Sequence, residues 1–497
     1  MLLAATAAGT SAVHAAPVPV TAAEDFSGDF AKVQVDLEAG RFVPALKRLD
    51  RILKSRTAQQ PELRAVLLAM RAVLLGGLDR RAEAEAAMAE AETLGPGLEI
   101  VPITRLSIAV MLQDIDRAVA AIRKLAAEHP KAMADMDTDT GLWAIRALNE
   151  RKRSAEADRV ALVLVRTDFA VNNLDTRSWL EVSAIRALMA AGDNGPAAAI
   201  ALSLENAPAL VTLLTDRRYA PLWEPVEAQL KPGLSNIHAR AIEAAERFAA
   251  ASPNSPQARL SQFTAYMEAG RIAEAEALAA KTGATAEAMA ALDEQGGWLV
   301  NNHALLLRDL GKGTEAEARF AAMRAITIGD KPWLINMVIN RLSDLVQSGN
   351  WTRALALDTE AGTLAAEYGS PYAQQLVRTY SLCARHRGQS GGDTTALLAT
   401  VKDKSADAPL ATMDAMICIG QLDAAETLLV EALGSEQWRD SAIETMQPAA
   451  ARAVPANPTV WDQGRETLEK RPAVQAAFGK VGRILPERFW PAARGKE

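Results

Sequence analysis

The chain has 497 residues, about a fifth of them alanine, with aromatic residues at 5% and a formal net charge of −7 at pH 7. That length exceeds what one compact core usually serves, and an Ala-, Leu-, Glu- and Arg-rich composition without long alternating Val/Ile/Thr runs favours helix almost throughout. Lys and Arg are interspersed with Asp and Glu instead of being gathered on one segment, which excludes the electrostatic footprint of a nucleic-acid-binding surface.

Residues 1–15 form an expected signal peptide. The run is small and apolar, and Val13-His14-Ala15 before Ala16-Pro17 sets small residues where signal peptidase cuts. An exported, periplasmic or secreted protein is expected on that ground, and a cytoplasmic regulator if the segment is retained. No Lys or Arg precedes Lys32, so the charged start of such a signal is missing. The run is shorter than the ~20 residues a membrane-spanning helix needs, and no cysteine near the cut offers a lipid anchor.

Beyond it a local pattern recurs. In Tyr266-Met267-Glu268-Ala269-Gly270-Arg271-Ile272-Ala273-Glu274-Ala275 one helix ends at Gly270 and another starts at once, with Ala275 small where the second crosses the first. Gly40/Ala45, Gly77/Ala82, Gly192/Ala197, Gly270/Ala275, Gly311/Ala316, Gly349/Ala354 and Gly420/Ala425 share this offset, and their glycines lie 37, 115, 78, 41, 38 and 71 residues apart. Composition alone gives about six such pairs in so Ala-rich a chain, so the pairs by themselves decide nothing. Their spacing, in multiples of about 38 residues, predicts a repeat. Looser copies fill the gaps at Gln113-Asp114-Ile115-Asp116-Arg117-Ala118, at Lys152-Arg153-Ser154-Ala155-Glu156-Ala157, in a second helix over 236–251 closed by Ser252-Pro253, and around 387–399. About eleven units result.

These units resemble the tetratricopeptide repeat family of helical hairpins. The resemblance rests on Phe263, Tyr266, Gly270, Ala275 and Ala279 in one unit and on Ala304, Gly311, Ala316 and Phe320 in another, and it covers most of residues 26–435. The period is longer than the family's 34 residues, and the closing proline is present in few units, at Pro130 and Pro253. It implies an all-α fold: an α-solenoid of about eleven stacked helix-turn-helix repeats in a right-handed superhelix, whose concave groove holds extended peptides or partner helices. The apolar stripes agree with stacking, since a lone hairpin carrying Leu299, His303 to Leu307 and Leu310 cannot bury both of its sides.

The expected organisation is an N-terminal array over 16–205, a proline-rich break at 206–235 with Pro208, Pro221, Pro225 and Pro232, a C-terminal array over 236–435, and a capping region over 436–497. Pro448, Pro455 and Pro458 precede Trp461 there, and Phe478, Phe489 and Trp490 are available to cover an open apolar end.

Few stretches carry chemistry. Asp135, Asp137 and Asp139 alternate as in a calcium loop, but Gly141 comes one residue late and Arg146 stands where a closing Glu is needed. An inter-repeat loop with Asp139 or Thr140 capping the helix of Trp143 is expected instead. Gly388 to Thr395 lacks the lysine of a phosphate loop and reads as an elongated turn. His14, His129, His238, His303 and His386 are dispersed, and Cys383 and Cys418 form no close pair. No catalytic set, metal site, cofactor or disulfide framework is therefore expected, and the cysteines read as small buried residues.

The remaining candidate is the groove. Asn301, Asn302 and Arg308 stand on one first helix, Asn336, Asn340 and Arg341 on the next, and Arg378 and Arg385 on a third. Amides and guanidinium groups so placed could grip a peptide backbone or a C-terminal carboxylate. The leading expectation is a non-enzymatic protein–protein interaction scaffold of the bacterial envelope that binds other proteins or peptides. The alternatives are an assembly or regulatory subunit of an envelope polysaccharide or protein export machinery, and an enzyme with its chemistry in residues 436–497 or in the mid-chain break.

Overall fold

The computed structural model describes residues 27–171, 173–326, 329, 331–388, 394–448, 451 and 459–491. The expected signal peptide, the centre of the Gly388–Thr395 turn, and Pro455 and Pro458 lie outside the described residues. Those described fall into two units, one of 27–171 and 179–197, the other of 173–178 and 198–491.

The first unit contains α1 (Ser27–Glu38), α2 (Phe42–Ile52), α3 (Pro61–Gly77), α4 (Arg81–Leu94), α5 (Ile100–Met111) and α6 (Ile115–Glu128). The short α7 (Pro130–Ala134) leads to α8 (Thr138–Glu150) and α9 (Ser154–Arg166). Helices α10 (Leu174–Ala190) and α11 (Asn194–Ser203) are divided between the units. The second unit continues with α12 (Ala207–Thr215), α13 (Ala220–Glu227), α14 (Ser235–Ala251), α15 (Pro256–Glu268), α16 (Ile272–Ala280) and α17 (Ala286–Ala290). Next come α18 (Glu294–Asp309), α19 (Gly313–Arg324), α20 (Leu334–Gln347), α21 (Trp351–Tyr368), α22 (Pro371–Arg387) and α23 (Thr395–Asp403). It ends with α24 (Pro409–Cys418), α25 (Leu422–Gly434), α26 (Arg439–Thr445), α27 (Asp462–Glu469) and α28 (Pro472–Val481). Among the described residues there is no strand, only an antiparallel bridge between Asp216 and Gly482.

One turn builds nine of the hairpins. A single left-handed residue, at 40, 79, 113, 152, 192, 270, 311, 349 or 420, ends the first helix. Its N–H donates to the carbonyl three residues back and the next N–H to the carbonyl five back from itself, as Gly270 N does to Met267 O (3.0 Å) and Arg271 N to Tyr266 O (2.8 Å). That pair of bonds satisfies the last carbonyls of the helix and reverses the chain at once. Five residues after each left-handed residue stands a buried alanine: Ala45, Ala84, Ala118, Ala157, Ala197, Ala275, Ala316, Ala354 or Ala425. The fixed offset has a geometric cause, because a turn of fixed length always brings the same helical position against the first helix, where only a small side chain fits. The α12/α14 and α22/α23 pairs, joined by longer connections, complete about eleven units.

The marker was misplaced once. Gly77 lies inside α3, and the left-handed residue of that hairpin is Asp79, followed by buried Ala84 while Ala82 is exposed. Gly76 and Gly77 serve close approach instead: a Cβ would lie 2.8 Å from the Met111 sulfur at Gly76 and 3.1 Å from the Phe42 ring at Gly77. Around Gly311 a Cβ would meet nothing within 4 Å, so only the backbone conformation (φ +75°) selects glycine there. Gly311→Ala is accordingly expected to destabilise by about 1 kcal/mol, and Lys152→Gly, at φ 59°, to stabilise by a similar or smaller amount. Urea midpoints of the two variants should move in opposite directions.

Two further expectations change. The N-cap of α8 is Asp137, whose carboxylate accepts from Thr140 N at 2.9 Å, and Asp139 pairs with Arg146 at 2.8 Å; neither Asp139 nor Thr140 is the cap. Cys383 and Cys418, read as separate buried residues, are joined in a disulfide with Cα atoms 5.6 Å apart. Their separation of 35 residues is close to one repeat, so they fall on the neighbouring first helices α22 and α24, in the C-terminal half of each. A spacing rule built on short Cys-x-x-Cys motifs does not see a pair brought together by a repeat period.

Candidate functional site

Successive first helices of the second unit pack side by side: α15 on α18, α18 on α20, α20 on α22 and α22 on α24. The predicted peptide-binding residues belong to the middle three. Asn301 is fully buried and donates to Asn302 Oδ1 at 3.2 Å, so it is not presented to a ligand. Arg308 is paired with Asp309 (2.9 Å) and Asp344, Arg341 with Glu317 (2.7 Å), and Arg385 with Asp358 (2.9 and 2.6 Å). These guanidinium groups tie repeats together instead of standing open: Arg308 reaches from α18 to α20, Arg341 from α20 to α19 and Arg385 from α22 to α21. Asn302, Asn336, Asn340 and Arg378 are half-buried, with Arg378 donating to Gln374 on its own helix at 3.0 Å. Sequence spacing placed these residues on first helices but could not reveal which cations had carboxylates across the repeat interface.

A buried polar group lies next to this face. His303 on α18 is only 4% exposed, and neither ring nitrogen has a hydrogen-bond partner. Burial first, then the charge of Arg319, pulls its pKa from 6.5 to about 4; Glu276 opposes this and Lys312 adds to it. The ring is therefore neutral in the fold at neutral pH, whereas in the unfolded chain it takes up a proton below 6.5. Stability should be intact above 6.5 and fall by about 3 kcal/mol as the pH drops towards 4. His303→Met should remove this component, seen as a smaller gap between urea midpoints at pH 7.5 and 4.5 than in the wild type.

The second unit also contains a cavity of about 530 Å³ that no local pattern announces. It exists because the chain returns on itself. The C-terminal region packs on α25 through α26, α27 and α28 and then continues onto the elements near the start of the unit. Residues 206–235 are not a border: Pro208 and Pro221 sit in the first turns of α12 and α13, where a missing N–H costs nothing, and the stretch lies inside the second unit. Arg483 N donates to Thr215 O (2.8 Å), Arg483 Nε to Leu214 O (2.6 Å) and Arg217 Nε to Gly479 O (2.8 Å). The Arg483 guanidinium also pairs with Glu227 and lies 3.6 Å from the centre of the Trp223 ring; Arg488 meets the same carboxylate at 2.7 Å, and Arg218 spans Asp216 and Asp440.

The repeat turns, their buried alanines and the helix-on-helix packing together settle the fold. Each unit is an all-α array of helical hairpins. No family model matches the sequence, and no curated protein does. Among solved structures, this chain is similar to yeast Tom70 at 14% identity and a TM-score of 0.31, covering 85% of this chain and 95% of that one. It is also similar to the structure of Naa15/Naa10 bound to HypK-THB, again at 14% identity, with a TM-score of 0.23 and coverage of 84% of this chain and 64% of that one. Among the described residues no helix is long and apolar enough to cross a membrane, and no three His, Cys, Asp or Glu side chains are grouped to hold a metal ion.

Proposed function

We propose that this tetratricopeptide-like array is a non-enzymatic protein-interaction scaffold of the bacterial envelope, binding a partner protein or peptide on the face made by its first helices. The observation that carries this reading is the unbroken side-by-side packing of α15, α18, α20, α22 and α24, which sets Asn302, Asn336, Asn340 and Arg378 on adjacent helices. Amide and guanidinium donors repeated from helix to helix suit the carbonyl groups of an extended peptide or the polar side of a partner helix. Replacing these four side chains together by Glu should lower the partner captured from native envelopes by about tenfold or more, with the circular dichroism unchanged. Undiminished capture overturns the assignment of this face.

Two features support an exported location. The Cys383–Cys418 bond suits an oxidising compartment, and the small apolar residues 1–15 end where signal peptidase would cut. Mass spectrometry of the protein from its native cells should find Ala16 as the first residue and both cysteines unreactive to alkylation before reduction. A chain retaining Met1 with two free thiols contradicts the location.

A further inference from the structure

The cavity of the second unit is walled on one side by α12, through Pro208, Val211, Thr212 and Thr215, and on the other by Leu485 and Phe489 of the returning C-terminal segment. Its volume falls in the range of small-ligand pockets. The distribution of donors and acceptors on its polar groups is uneven. Thr212 spends its hydroxyl hydrogen on Pro208 O (3.2 Å), Thr215 on Val211 O (2.7 Å) and Thr445 on Ser441 O (2.9 Å). The Gln447 amide donates to Ile443 O and Arg483 O, both at 3.1 Å, while its oxygen accepts from Leu485 N at 2.8 Å. Arg465, the one cationic side chain of the lining among the described residues, gives its Nε and one Nη2 hydrogen to Asp414 at 2.9 and 2.5 Å.

The hydroxyl and amide donors of this wall are thus consumed among the described residues, and what remains on the hydroxyl groups accepts. The three hydroxyl oxygens keep lone pairs, since a hydroxyl carries one hydrogen but two acceptor sites. His238 presents a buried Nδ1 without a partner, on a ring that burial keeps towards the neutral form. The exposed carboxylate of Glu444 has no partner among the described residues, whereas Asp440 shares the Arg218 guanidinium with Asp216. An anionic ligand would meet spent hydroxyl and amide donors and the like charge of Glu444; a neutral apolar one would leave the acceptors unsatisfied.

We propose that this cavity binds a ligand with an apolar body and one protonated amine, its body against Val211, Leu485 and Phe489 and its ammonium group on Glu444. The same chemistry comes from a free small amine or from a lysine side chain of a peptide, and either would be recognised by the acceptors alone.

Calorimetric titration of the full chain decides the matter, with 4-phenylbutylamine, 4-phenylbutanoate and the N-acetylated, C-amidated peptide Leu-Lys-Leu as probes. The two phenyl compounds share a body and differ in the sign of their charge. The amine should bind at least about tenfold more tightly than the carboxylate, and Glu444→Gln should weaken the amine about fivefold while leaving the thermal midpoint unchanged. Tighter binding by phenylbutylamine than by the peptide identifies a small-molecule site, and the reverse order a peptide site. Equal or stronger binding of the carboxylate, no binding of either cation at ~5 mM, or an unaltered affinity in Glu444→Gln overturns the proposal. The scaffold reading rests on a different face and stands or fails by its own capture experiment.

Discussion

Arg483→Ala is expected to destabilise the second unit by about 3 kcal/mol, the largest effect of any exposed-to-half-buried side chain in the closure. This one residue makes a charged hydrogen bond to Leu214 O, pairs with Glu227 and covers the Trp223 ring, while three-quarters of its side chain is out of water. A charged bond to a carbonyl contributes about 1.5–3 kcal/mol and a partly desolvated cation on Trp about 1 kcal/mol. The loss stays near the lower end of what a broken buried pair costs because Arg488 remains on Glu227 at 2.7 Å. Arg488→Ala is the control: at 56% side-chain exposure it should cost less than about 1 kcal/mol. Amide exchange at residues 211–216 and 482–486 is the direct readout, and should quicken in the first variant and barely change in the second. Equal effects from the two arginines would mean that Arg483 is not the closing residue.

Replacing Cys383 and Cys418 together by Ala should lower stability by about 2–4 kcal/mol, since the bond closes a loop of 35 residues and removes that freedom from the unfolded chain. Both residues are nearly inaccessible and belong to the core shared by α22, α24 and α25, so each Ala also leaves a small gap in that core. The urea midpoint of the wild type should fall to that of the double variant once reductant is added to the unfolding mixture. A midpoint insensitive to reductant would count against the bond.

The fold was legible in the sequence because its determinants are local. A left-handed turn and a buried alanine five residues later lie within one stretch of chain, and Gln113/Ala118 and Lys152/Ala157 were visible even without glycine. Gly77 misled because a glycine can serve close packing as well as a turn, and the letter does not tell which: its Cα faces Phe42 while Asp79 takes the left-handed position. The candidate face was half legible. Helical spacing placed Asn336 and Asn340 together, but the partners of Arg308, Arg341 and Arg385 sit on other helices, at Asp344, Glu317 and Asp358. Nothing near Arg483 in the chain hints at Leu214 O, 269 residues away, and the cavity made by that contact was equally hidden. Cys383 and Cys418 stand between these cases, since a separation of 35 residues places them on neighbouring repeats while the meeting of their side chains depends on where each falls on its helix.

The return of the C-terminal segment onto α12 and α13 has a consequence for how the protein is made. Hairpins that touch only their neighbours can settle one after another as a chain emerges from the ribosome, and their folding rate is set by short loops. The second unit cannot finish that way, because Thr215, Glu227 and Trp223 wait for Arg483, which is synthesised more than 250 residues later. Its first helices are early products with a late partner. Every molecule therefore passes through an interval in which the apolar side of α12 is uncovered, and the segment around Arg483 acts as a completion signal: a nascent polypeptide is expected to stay protease-sensitive at residues 207–234 until that segment arrives.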